Sequence, residues 1–130
     1  MKNNNSAVIE KLKLVRKRMN RLREGFRLEK ESALEDPDIM ELEKLRERSK
    51  SIYQMEMVEY SRDIKMLKRN INSDQSKMEE AEDLSELCMK EAASLLAHFV
   101  SAPNRLIRIY KAEGLSEKRK GDNCIRMSSD

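Results

Sequence analysis

The sequence predicts an all-α fold: long antiparallel helices forming a coiled-coil hairpin or an elongated three-helix bundle, with a short C-terminal helix and a disordered tail. Three observations predict it. The 130 residues are 39% charged, 38% hydrophobic and only 4% aromatic, which fits narrow apolar stripes under wide solvated faces rather than a thick core. With 3 Gly and 2 Pro, the chain has few places to turn. Its apolar residues recur at steps of three and four over long segments, the spacing of one helix face. The organisation that follows is a disordered start over 1–5, one helical domain over 6–113 with helices at 6–34, 38–71, 76–102 and 103–113, and a disordered polar tail over 114–130.

The first helix carries the clearest instruction. Val8, Leu12, Val15, Met19, Leu22 and Phe26 follow one another at heptad spacing, the seam of a helix that packs lengthwise on others. Lys11 and Arg18 flank this seam on one side, Arg16 and Arg23 on the other, so the packing partner should bring carboxylates to its edges. These ten residues are the predicted partner-binding surface. Ser6 suits the N-cap, and Gly25, a weak helix former, leaves room for a close approach from a neighbour.

A break is expected at Glu35-Asp36-Pro37-Asp38, because proline disfavours helical geometry at the residue before it, and Asp36 or Asp38 suits the next N-cap. The second helix then carries Leu42, Leu45, Ser49, Tyr53, Glu56, Tyr60, Ile64, Leu67 and Ile71 on its stripe, a pattern nearer an eleven-residue repeat than a heptad. Such a stripe packs nearly straight or with local unwinding. Poor helix formers gather over 70–76, and Ser76 with Glu79 has the form of a capping box. A third stripe follows through Met78, Ala81, Leu84, Cys88, Ala92, Leu95 and Phe99, with Pro103 expected to end it and to open a short helix closed by Gly114.

Charge is unevenly placed. The net charge of +3 resolves into +7 over residues 1–30, −5 over 31–60, −2 over 61–100 and +3 over 101–130, so much of the basic first helix is expected to be neutralised by its neighbours. The acidic run Glu79, Glu80, Glu82, Asp83 and Glu86 suits the first turns of a helix, near its positive dipole end, or the acidic strip that the first helix requires. It lacks the alternating ligands and glycine turn of a calcium loop.

No arrangement of residues points to catalysis, a metal or a cofactor, and the expected protein is not an enzyme. His98 is a lone histidine without ligand spacing, and Cys88 lies on an apolar stripe without the basic setting that activates a thiol. Two cysteines outside any CxxC pattern make no disulfide framework, and the N-terminus lacks the apolar core of a signal peptide, so the expectation is an intracellular, cytoplasmic protein without stable membrane insertion. The segment Arg105, Leu106, Ile107, Arg108, Ile109 and Tyr110 reads as a docking element or as a flap over the open end of the helices.

The function expected is a helical adaptor or structural subunit that meets protein partners, like or unlike itself, by coiled-coil packing. An alternative is nucleic-acid binding by the basic face of the first helix, though aromatic stacking groups are scarce there. The stretch IEKLKLVRKRMNRLRE resembles the basic N-terminal helix of the export-apparatus stalk proteins of type III secretion and flagellar systems. That resemblance implies a two-helix coiled coil contacting an export ATPase, or a secretion chaperone; it covers these 16 residues and does not extend to the segment after Pro103.

Overall fold

The computed structural model describes residues 4–114 and is all-helical, with three long helices and no strand among those residues. The first helix spans Asn5–Glu35. The second spans 39–69 without a break, in three parts: Ile39–Arg48, a π-helical turn at Ser49–Gln54, and Met55–Arg69. The third spans Met78–Ala112. Each packs on both others. Leu12 meets Cys88 and Arg16 meets Glu91, so the first and third helices run the same way, while Glu29 meets Arg48 and Asn5 meets Asn72, so the second runs against them.

Asn4 and Asn5 are more ordered than their composition suggests. Asn4, not Ser6, is the N-cap, its side chain accepting from the Ser6 amide at 2.8 Å. Asn5 is buried: its Nδ2 donates to the carbonyls of Asn72 at 2.8 Å and Ser76 at 3.1 Å, and its Oδ1 accepts from the Asn72 amide at 2.8 Å. The disorder expected over 1–5 therefore does not hold for these two residues, because one amide side chain satisfies the turn that joins the second and third helices. Residues 1–3 and the tail from 115 onward, with Cys124, lie outside the described residues.

That same turn departs from the expected capping box. Lys77 is the N-cap, left-handed at φ 65°, with no side-chain cap bond. Ser76 instead turns its carbonyl to Asn5. At the other end of the first helix the break falls as expected, and Asp38 caps the second helix by accepting from the Met40 amide at 3.1 Å.

The π-helical turn resolves the irregular stripe of the second helix. An i→i+5 turn holds one residue more than an α turn, so it shifts which side chains face inward afterwards. Ser49 and Tyr53 are buried as read from the sequence, but the next inward residue is Met57, fully buried, while Glu56 is exposed. Glu56 instead accepts a hydrogen bond from the Tyr60 hydroxyl at 2.9 Å.

Pro103 does not end the third helix. Proline removes the N–H that would bond the carbonyl four residues earlier, which here belongs to Phe99. That carbonyl accepts from the Ser49 hydroxyl at 2.6 Å and from Gln54 Nε2 at 3.4 Å, both from the π-helical segment. The separate helix expected over 103–113 is a continuation, because a neighbour supplies the missing donor. Among the described residues no helix is long and apolar enough to cross a membrane.

Candidate functional site

All six seam residues of the first helix turn inward. Val8, Leu12, Val15, Met19 and Phe26 are buried and Leu22 is half-buried, packed in one core with Tyr53, Met57, Ile64, Cys88, Leu95 and Phe99 from the other two helices. The predicted partner-binding seam is thus filled from within the chain. Any further partner meets the outer faces.

The predicted flanking cations divide into two groups. Arg16 makes a bidentate pair with Glu91, two bonds of 2.9 Å across the first and third helices, and the bond to Glu91 pushes its pKa up. Arg23 donates to the neutral Asn20 side chain at 2.6 Å. Among the described residues, Lys11, Lys17, Arg18, Arg21 and Arg23 hold no carboxylate in an ion pair, whereas Lys13, Arg16 and Arg27 do. Folding therefore leaves these five cations on the surface of the first helix without an ion pair among the described residues, with Glu56 lining the groove opposite Arg18 and Arg21.

Much of that surface forms a stripe. Lys11, Leu14, Arg18, Arg21, Gly25 and Leu28 repeat at the same alternating steps of three and four as the buried seam, but on the outside. Leu14 and Leu28 are 51% and 53% exposed; Leu14 sits beside Lys11, Lys17 and Arg18 on its helix face, whereas Leu28 sits beside Arg27 and its ion-pair partners Glu24 and Glu31. Arg18, Arg21, Leu22 and Gly25 form one wall of an open groove whose other wall is Ile52, Tyr53, Glu56 and Tyr60 of the second helix.

One end of the groove is rigidly tied. A Cβ built on Gly25 would sit 3.4 Å from the Tyr53 hydroxyl, so the absent side chain does admit a close neighbour. Tyr53 donates to Glu29 Oε2 at 2.8 Å, and Arg48 grips the same carboxylate through two bonds of 2.9 and 2.8 Å. Arg48 holds Glu29 below the usual carboxylate range, while burial and then Glu29 push Tyr53 up to about 12, so the phenol stays a donor. Beneath it Phe26 packs edge-on against Tyr53 at 5.3 Å, Phe99 at 4.9 Å and His98 at 5.4 Å. Burial, then Lys30 and Arg105, lowers the His98 pKa.

The remaining candidates are placed as follows. In the segment expected to dock or to fold back, Ile107 is buried, Leu106 packs on the core, Tyr110 is half-buried, and Arg105, Arg108 and Ile109 are exposed. It continues the third helix and does not fold back. Cys88 is buried beside the Leu12 carbonyl, and burial raises its pKa, which opposes thiolate formation. Of the acidic run, Glu86 pairs with Lys68 at 2.7 Å, whereas Glu79, Glu80 and Asp83 hold no cation in an ion pair among the described residues. These three line a shallow hollow with Leu84 and Leu87. Among the described residues no group of three or more His, Cys, Asp or Glu is arranged to hold a metal ion.

Sequence reading missed the outer stripe because its leucines sit among charges and look like a solvated face. The available signal was Leu14 and Leu28, large apolar residues fourteen apart, off the seam. Compared with known protein families, curated proteins and solved structures, the chain matches none.

Proposed function

We propose that the protein is a non-enzymatic helical adaptor or structural subunit, its helices forming one elongated three-helix bundle that holds protein partners on its outer faces. One observation carries this reading: the seam of the first helix is filled from within, yet its outer stripe keeps the exposed Leu14 beside Lys11, Lys17 and Arg18, which hold no carboxylate in an ion pair among the described residues. Exposed apolar groups ringed by one sign of charge suit a partner that brings apolar groups ringed by the other.

A co-purification from cell extract tests it with three forms of the full chain: wild type, Arg18→Glu/Arg21→Glu, and the remote control Lys65→Glu. Nuclease treatment should leave a set of proteins bound to wild type and control, and the groove variant should lose them. Equal recovery by all three, or recovery that nuclease abolishes, would overturn the reading.

The same unpaired cations support a second reading, nucleic-acid binding through phosphate contacts. It is the weaker one, since Tyr53 is buried and Tyr60 half-buried, neither free to stack on a base. A titration with a short duplex across salt concentrations separates the two, phosphate contacts giving a steep negative slope. A two-helix export stalk is weaker again, because a third long helix lies against the first.

A further inference from the structure

We infer that the outer stripe of the first helix pairs with the acidic hollow at the start of the third helix of a second copy of this chain. The inference rests on the adaptor or subunit reading and names its partner.

Both halves of such a pair are present on one molecule. The first is Lys11, Leu14, Arg18 and Arg21, positive, without carboxylate partners among the described residues, and carrying a half-exposed leucine. The second is Glu79, Glu80 and Asp83 with Leu87, which is 40% exposed, and these carboxylates have no cation partner among the described residues. Within the chain the first helix takes its third-helix carboxylate from Glu91, which lies beyond the acidic run and pairs with Arg16, while Glu86 of the run turns to the second helix. What each strip lacks, the other has.

Their placement allows both contacts at once. Leu87 and Glu91 are four residues apart and share a helix face, and Glu91 meets Arg16, so the acidic hollow flanks the first helix on its third-helix side. The basic stripe flanks the same helix on its second-helix side, where Arg18 and Arg21 face Tyr60. Two patches on either side of one helix can meet their opposites across a two-fold axis, basic on acidic at both places. That is an isologous, closed interface.

Sedimentation of the full chain tests the pairing, with circular dichroism confirming that each variant keeps its helices. The wild type should form a dimer that weakens as salt rises, because screening lengths shrink from ~10 Å at 0.1 M to ~3 Å at 1 M. Arg18→Glu/Arg21→Glu and Glu80→Lys/Asp83→Lys should each weaken it at least tenfold. An equimolar mixture of the two should restore a heterodimer, since both contacts again join opposite charges. Variants that dimerise like wild type, or a mixture that fails to associate, would overturn the pairing. So would a wild type that stays monomeric at about 100 μM in low salt. A monomer that still binds an acidic, leucine-bearing peptide in the groove also overturns it, assigns the groove to a foreign partner and leaves the adaptor reading standing; loss of the co-purified partners is what removes that reading.

Discussion

Ser49 shows how much one side chain can decide. A hydroxyl on the inward stripe reads as a defect of the core, yet it donates to the Phe99 carbonyl that Pro103 leaves without its helical partner. Ser49→Ala should cost ~1–3 kcal/mol, the penalty of an unsatisfied buried acceptor, eased in part by Gln54. Urea unfolding of Ser49→Ala, Pro103→Ala and the double variant checks the link: the loss at position 49 should shrink once alanine at 103 returns an N–H to Phe99, and equal losses in both backgrounds would sink the account. His98 supplies a pH test, being the sole histidine. Its folded pKa is depressed, chiefly by burial, so between the folded and unfolded values the unfolded chain binds more protons. Stability should be full above about 6.5 and fall as pH drops through the folded value. His98→Gln should flatten the urea midpoint between about pH 7 and 5 relative to wild type, and parallel pH profiles for the two proteins would refute this.

At the scale of the element, the π-helical turn is what reconciles a long second helix with two neighbours. Without it the inward face would drift to Glu56, which would force a carboxylate into an apolar core at a prohibitive desolvation cost. The extra residue in the turn brings Met57 inward and leaves Glu56 in solvent, and it also delivers Ser49 and Gln54 to the third helix. Met57→Ala should therefore destabilise by ~2–5 kcal/mol as a cavity-forming change. Glu56→Ala should stay within about 0.5 kcal/mol, like other exposed substitutions. Thermal or chemical denaturation of the pair decides it: a large loss at 56 with a small one at 57 would contradict the register. Gly25 belongs to the same arrangement, since it admits Tyr53 to the level where Phe26 and Phe99 meet.

Across the whole molecule, Asn5 joins the beginning of the chain to the turn between its second and third helices. Asn5→Ala removes a buried side chain that partners the Asn72 and Ser76 backbone groups, and a loss of ~1–3 kcal/mol is expected. Hydrogen exchange should then quicken over 70–77 and at the start of the first helix, leaving the Phe26 level protected; unchanged exchange in that turn would show that Asn5 is not its anchor. Exposed ion pairs such as Arg27 with Glu24 and Glu31 should contribute little and fade with salt.

Helical class, the inward face of the first helix, the break at Pro37 and the inward face of the third helix from Ala81 to Phe99 were all legible along the chain, because each depends on local periodicity or on a residue with a fixed backbone preference. The groove was half legible: Gly25, the arginines and the two tyrosines of the second stripe could each be marked, but not that they line one groove. What stayed hidden has a common cause. Asn5, Ser49 and Pro103 each depend on a polar group contributed from far away in sequence, and polar side chains near a break or on a stripe look the same whether or not such a partner exists. Local spacing determined which faces turn inward; only packing the three helices together decided which backbone groups are satisfied, where the second helix shifts its register, and which cations on the first helix are left for a partner.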